Sequence, residues 1–389
     1  MTASLNVILV TGATGFIGGR VCEALAQAGF SEIRALVHNH SHSARISRLP
    51  VELCGGNLLD QKSLDSALEH VKIVIHLGTG YGSAIPRGTK NLLSAAFAKG
   101  VKRFIHISTT AVYGLKPIPG CEDEDTAPRF TGNVYCDAKL RAERLVLEFG
   151  KRGLPVVIFR PSIVYGPYSR WSVRLISELQ QAKGLLIDGG RGICNALYVD
   201  NLVDAILLAL ERPEASGQIF FLRDQEVLTW GDFIRAHADM LEPPAALKDI
   251  SSEQISAYHR SRGGMWVESA RAARRLVITP EFRNFLREIP LTERLLTWAW
   301  SSTQHLGRAG KEHLRARIAG NGHRIQPPSI PDLDTWSIQS NTVLFSLSKA
   351  TKILGYHPRV TFAEGIHRTH EWLRFANYLP NEHSYSVAV

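Results

Sequence analysis

The 389-residue chain has no Cys-x-x-Cys pair, and its five cysteines (Cys22, Cys54, Cys121, Cys136 and Cys194) are odd in number and irregularly spaced. A zinc ribbon is excluded and a disulfide framework is not expected. No apolar run approaches the ~18 residues that a spanning helix needs. No basic leader precedes the first apolar strand, so no secretory signal is expected. Apolar residues are not scarce, at 44%, and charge is not crowded, at 21%. Those values exclude a disordered or collagenous chain. The expectation is a cytoplasmic protein with a sizeable core and two or three domains.

Positive charge is in excess, at +9, but it is not spread evenly. Between His259 and Arg324 stand thirteen Lys or Arg and five Asp or Glu, which accounts for eight of the nine charges. The rest of the chain is close to neutral, so no nucleic-acid partner is expected. Within that segment, Phe282, Phe285, Leu286 and Ile289 fall at helical spacing. After Pro290 the pattern restarts at Leu291, Leu295 and Ala299, with Trp298 and Trp300 nearby. One expectation is a lid or homodimer contact, with the arginines solvated. The other is peripheral membrane contact through residues 282–318, because basic amphipathic helices with tryptophan can lie in a lipid interface.

Strand and helix patterns alternate through the first part of the chain. Strands are expected at residues 5–10, 33–37, 72–77, 101–108 and 156–160. Helices are expected at 16–28, 63–69, 88–99, from Tyr135 to about Gly150, and near 361–376. That rhythm implies βαβ units and a doubly wound parallel sheet, an α/β fold. Residues 1–165 read as the dinucleotide-binding core. Residues 166–389 read as returning strands plus a smaller, mainly helical substrate lobe, with a basic helical insertion at about 240–340.

Gly12-Ala-Thr14-Gly15-Phe16-Ile17-Gly18 stands between the first strand and the first helix. Gly12 permits a tight turn, Gly15 lets backbone approach a pyrophosphate, and Gly18 lets the helix pack on the sheet. Free N–H groups at the helix start favour phosphate. An acid at the end of the second strand would pair with the ribose of NAD. Here the chain reads Val37-His38-Asn39-His40, with Arg45 following. His, Asn and Arg can bind a 2′-phosphate that a carboxylate would repel, so NADP(H) is expected over NAD(H). His38, His40 and His42 alternate on a loop and are not expected to hold a metal.

Tyr135-Cys-Asp-Ala-Lys139 puts a phenol and an ammonium one helical turn apart. The ammonium is expected to lower the phenol pKa, so that Tyr135 can exchange a proton with a substrate alcohol while hydride moves at a nicotinamide. The fourth strand ends His106-Ile-Ser108-Thr109-Thr110, and either Ser108 or Thr109 could assist at the substrate oxygen. Cys136 should be a small packed residue, and Glu122–Asp125 a solvated loop.

These motifs, together with Arg160-Pro-Ser-Ile-Val-Tyr-Gly-Pro167, resemble the extended short-chain dehydrogenase/reductase superfamily, whose members include NAD-dependent epimerases and dehydratases. The resemblance covers residues 5–235 and resumes at 344–373. It implies an enzyme and places the catalytic hydroxyl on Thr109. It also extends the cofactor set to Asn57, Leu58, Leu77, Gly78, Pro161 and Ile163, beside Tyr135 and Lys139. Tyr81, Thr110 and Tyr198 would meet substrate.

Three departures narrow the substrate. Thr109-Thr110-Ala111 replaces the Thr-Asp-Glu of the dehydratases, Ile163 replaces an epimerase asparagine, and Cys194 replaces an arginine for the diphosphate. Tyr198-Val-Asp-Asn201 and Gly217–Phe221 are similar to the 3β-hydroxysteroid dehydrogenase branch. The implied activity is NAD(P)-dependent interconversion of a secondary alcohol and a ketone on a small, ring-shaped, apolar substrate, sterol-like or another natural product. A nucleotide-sugar epimerase or ketoreductase, or a non-catalytic NADP-binding regulator, are the alternatives.

Overall fold

Short β-branched runs form the strands of the computed structural model, which describes residues 7–261 and 330–380. Strands β1 (Val7–Thr11), β2 (Ile33–Val37), β3 (Val51–Gly55), β4 (Val71–His76), β5 (Arg103–Ile107) and β6 (Val156–Pro161) precede the loosened part of the chain. Five of these strands and the helices between them, α1 (Phe16–Gln27), α2 (Gln61–Ala67), α3 (Ala84–Ala98) and α4 (Val134–Lys151), lie within a few residues of expectation. Strand β3 was not anticipated. It is a half-exposed edge strand that carries charge instead of an apolar run, and Glu52 bridges to its register partner Arg34 at 2.7 Å.

The small strands β7 (Ile163–Tyr165), β8 (Leu185–Ile187), β9 (Ile193–Cys194) and β10 (Ala196–Tyr198) follow, then β11 (Ile219–Leu222), β12 (Leu228–Thr229) and β13 (Lys248–Ile250). The main sheet has the order β11-β6-β5-β4-β1-β2-β3, and every pair in it is parallel. Consecutive residues of β1 alternate between two cores. Ile8 and Val10 join one, which includes α1, and Leu9 joins the other, which includes α3 and α4. Both faces are therefore covered, as parallel sheets require. The chain reverses direction across the sheet between β1 and β4, and ligands meet such sheets at the carboxyl ends beside that switch.

Further helices are α5 (Arg170–Gln180), α6 (Val199–Glu211), α7 (Trp230–Ala238), α8 (Ser252–Ser261), α9 (Leu333–Gln339), α10 (Ser348–Leu354) and α11 (Phe362–Phe375). Contacts cluster the chain into two units. One holds residues 1–251 and 332–389, with the whole sheet and the closing helices, and the other holds Ser252–Pro331. In the first unit the Asn201 amide clamps the closing segment, because its Oδ1 accepts from Arg359 N and Val360 N while its Nδ2 donates to Val360 O. In the second, His259 Nε2 stands 3.1 Å from Pro331 O. The basic segment 282–318 lies outside the described residues. Among the described residues no helix is long and apolar enough to cross a membrane.

Candidate active site

The turn after β1 is made of backbone. Gly12 has φ +70°, and a Cβ there would stand 2.8 Å from the Leu77 carbonyl. A Cβ on Gly18 would stand 2.1 Å from Gly12 O, so the first turn of α1 packs directly on the loop. Helix α1 has no side-chain cap and no acid in its first turn. Its leading N–H groups and positive dipole end are thus left to an external anion, which fits the pyrophosphate of a dinucleotide. Thr14, Gly15, Phe16 and Ile17 are half-buried or exposed at this turn.

The loop after β4 is fixed against it. Gly78 N donates to Thr11 Oγ1 at 3.1 Å, and the Thr11 hydroxyl pairs with His76 Nδ1 at 2.7 Å. On the other side His76 Nε2 meets Thr89 Oγ1 at 3.0 Å. Across these two contacts one ring nitrogen donates and the other accepts, the direction following the His76 tautomer. Leu58, from the loop after β3, packs on both Gly78 and Gly88. Asn57 folds that loop by accepting from Leu59 N. His38 follows β2 and is exposed. The expected cofactor residues therefore gather at the carboxyl ends of β1 to β4, with Pro161 closing β6 and Ile163 buried at the start of β7.

Arg45 departs from expectation. Its Nε pairs with Glu23 at 2.9 Å, its guanidinium donates to Phe16 O, and it stacks on Tyr168 at 4.1 Å. It is already engaged, which leaves His38, Asn39 and His40 as the open polar groups after β2. Of these, Asn39 Oδ1 accepts from Ser41 N.

Helix α4 delivers the second half of the site. Asn133 caps it by accepting from Tyr135 N and Cys136 N, which fixes the first turn. The Thr109 hydroxyl lies beside the Tyr135 phenol and favours its ionised form, and Thr109 Oγ1 accepts from Ala111 N at 3.1 Å. Ser108, the alternative hydroxyl, is buried and donates to Glu143 at 2.6 Å. With Ser108 engaged in this way, Thr109 is the hydroxyl beside Tyr135. Although Tyr135 is 44% exposed, the protein around its hydroxyl raises the phenol pKa by desolvation. The neighbouring Cys136 adds to the rise, and the Thr109 hydroxyl opposes it.

The expected lowering by Lys139 does not appear. The Lys139 ammonium is buried and donates to Ile107 O at 2.7 Å, and burial drops its own pKa to about 8, with Glu143 opposing the fall. Two histidines at adjacent strand ends, His76 and His106, have rings 5.2 Å apart. Burial holds both neutral, His76 at about 3 and His106 well below its usual range, and Lys139 adds to each shift.

Sequence reasoning missed the support under this pair. Glu143 and Arg160 form a buried two-pronged ion pair, with contacts of 2.5 and 3.1 Å. Arg160 also donates to the Tyr113 hydroxyl at 2.6 Å. Glu143 follows Lys139 by the same four-residue step that separates Lys139 from Tyr135, and that spacing was available as a signal.

Two expected substrate contacts are corrected. Tyr198 is 2% exposed, because β10 pairs with β7 in a register that sets it opposite Tyr165, with rings 5.4 Å apart. Helix α11 then covers both rings at Gly365. Thr110 is also buried, in the short turn Thr110–Tyr113. Tyr81 remains half-buried in the loop before α3, and Gly82 of that loop packs near Val134 beside Tyr135. The loop around Glu122–Asp125 is not simply solvated. Glu124 Oε1 accepts from Phe221 N at 2.6 Å, Glu122 O accepts from Ser346 N, and burial raises the Glu124 pKa. Cys136 is buried as expected.

A model of the NAD dependent epimerase/dehydratase family matches residues 8–222. The chain is 27% identical over 226 residues to the 4-hydroxy-2-methyl-3-oxo-4-farnesyl-3,4-dihydroquinoline-1-oxide ketoreductase of Stigmatella aurantiaca, covering 55% of this chain and 67% of that one. It is 31% identical over 262 residues to sterol demethylase protein B of Methylococcus capsulatus, covering 62% and 79%. Among solved structures, UDP-glucuronic acid 4-epimerase from Bacillus cereus, in complex with UDP-glucuronic acid and NAD, superposes with a TM-score of 0.65 at 20% identity. That match covers 95% of this chain and 99% of the other.

Proposed function

Since the chain belongs to the NAD dependent epimerase/dehydratase family, and so is an NAD(P)-dependent enzyme of the extended short-chain dehydrogenase/reductase type, we propose that it interconverts a secondary alcohol and a ketone on an apolar, ring-shaped substrate. The observation that carries this reading is the placing of Tyr135 beside the Thr109 hydroxyl just after β5, with the buried Lys139 ammonium one turn along α4. When bound at the glycine turn, the nicotinamide cofactor supplies or accepts the hydride.

In reduction, Tyr135 gives its proton to the developing alkoxide and Thr109 donates a hydrogen bond to the same oxygen. A phenol with a raised pKa stays protonated, which suits an acid. Lys139 contributes positive charge only while protonated, so reduction weakens as pH rises through about 8.

The apolar substrate is supported by the site's own residues. Val134 is exposed beside Tyr135, and Ile163 and Cys194 are buried where a nucleotide diphosphate would need polar partners. Burial holds the Cys194 thiol protonated, and a neutral S–H is too weak a donor to stand in for an arginine at a diphosphate. The ketoreductase and sterol relatives point the same way. NADP(H) is the proposed cofactor, because no carboxylate follows β2 and His38 stands exposed there.

The test is a panel of prenylated quinoline ketones and 3-oxosteroids, each with NADPH or NADH, beside UDP-glucose and UDP-glucuronic acid. Oxidation of NADPH by an apolar ketone supports the reading. Epimerisation of a UDP-sugar with no ketone reduction overturns it.

A further inference from the structure

Lys139 and Glu143 on α4 and Arg160 on β6 are charged side chains withdrawn almost completely from solvent. Burying charge is costly unless each charge is paired and hydrogen-bonded. Arg160 engages all three of its side-chain nitrogens, with both oxygens of Glu143 and with the Tyr113 hydroxyl, which in turn donates to Thr126 O. Glu143 accepts on both oxygens, and its Oε2 also accepts from Ser108. Lys139 is different, because among the described residues its hydrogen-bond partner is one neutral carbonyl, Ile107 O.

The groups around that ammonium can be named by element. From β4 comes His76, already bonded to two threonine hydroxyls. From β5 comes His106, 1% exposed, with neither ring nitrogen bonded to protein. Both imidazoles are neutral and cannot balance a charge. From β6 comes Arg160, a cation. From α4 itself come Tyr135, one turn before, and Glu143, one turn after. Glu143 is thus the carboxylate on hand, and Arg160 and Ser108 prevent it from swinging away.

We infer that Glu143 is a positioning residue for the Tyr135–Lys139 pair: clamped by Arg160 and Ser108, its carboxylate keeps the buried Lys139 ammonium charged. The catalytic meaning rests on the oxidoreductase reading, whereas the electrostatic one does not. Without Glu143, burial of the ammonium would be opposed by no carboxylate.

The test is direct titration of Lys139 in the full chain by Nζ-detected NMR of ¹⁵N-lysine-labelled protein, with the resonance assigned by its loss in Lys139→Ala. Wild type should titrate near 8. Glu143→Gln should bind that proton about tenfold or more weakly, a fall of one pH unit or more. Glu143→Asp keeps the charge and should retain most of the affinity. Ser108→Ala removes a clamp but no charge and should move the midpoint by less than about 0.3 unit. The alkaline limb of turnover should move with the midpoint in Glu143→Gln, which a merely structural role would not produce. An unchanged midpoint in folded Glu143→Gln would overturn the inference. So would a wild-type Lys139 already neutral at pH 7, and that measurement needs no variant to fold. Absence of ketone reduction by wild type would instead defeat the functional reading and leave the titration standing.

Discussion

The glycine turn after β1 and the stripe on α4 both stand at the carboxyl ends of the sheet, yet they are built from opposite materials. The turn is nearly bare backbone, and its fit depends on missing Cβ atoms at Gly12 and Gly18. The stripe is dense with side chains, and Tyr135, Lys139 and Glu143 each depend on partners from β5 or β6. The turn therefore recognises by shape and by helix N–H groups, while the stripe sets protonation. Steric change should break the first and leave proton chemistry intact. Isosteric change should do the reverse.

The largest expected effect is on the stripe. Tyr135→Phe removes one hydroxyl, and turnover should fall roughly 10²–10⁴-fold. Cofactor affinity, measured by quenching of protein fluorescence, should stay within about twofold on this account, because the turn is untouched. Next comes the turn. Gly18→Ala places a Cβ on Gly12 O, and such overpacking costs about 1–3 kcal/mol. Affinity for the nicotinamide cofactor should drop by roughly 5–150-fold if that strain falls on the bound state. The pH dependence of whatever turnover remains should be unchanged. If Gly18→Ala moved the alkaline limb, the two regions would not be separable as described.

A comparable effect belongs to Thr109→Val. It removes the hydroxyl beside Tyr135 and one donor to the substrate oxygen, so turnover should fall by about 10²-fold, near the lower end for such donors. Ser108→Ala should fall far less, and equal losses would contradict the assignment of Thr109 over Ser108. The smallest effect concerns cofactor choice. His38→Asp puts a carboxylate after β2, and the ratio of NADPH to NADH affinity should fall by several-fold, about 1 kcal/mol. A wild type that binds NADH more tightly would remove the basis of that prediction.

What could be read from the sequence divides along the same line. Gly12 to Gly18 was legible because a glycine turn between a strand and a helix has few other uses. The Tyr135–Lys139 step was legible because helical spacing is local. Strand β3 was not, since Glu52 and Gly55 hide an edge strand whose charge is answered by Arg34 on β2. The rise of the Tyr135 pKa and the burial of Tyr198 were also out of reach. The first depends on the protein packed around the phenol hydroxyl, which desolvates it, and the second on the pairing of β10 with β7 under α11. Glu143 was legible in spacing but not in role, because its meaning comes from Arg160, seventeen residues away. Choosing between Ser108 and Thr109 needed the same long-range contact.

The most direct measurement follows the hydride and the proton together. The protein is mixed with NADPH carrying deuterium on the transferable C4 position and with an apolar ring ketone, and the product alcohol is examined by mass spectrometry. The account predicts one deuterium on the carbinol carbon with wild type, and at most about one hundredth of that rate with Tyr135→Phe. NADPH that binds normally but delivers no deuterium to any ketone of the panel, or a Tyr135→Phe protein that delivers it at the wild-type rate, would contradict it.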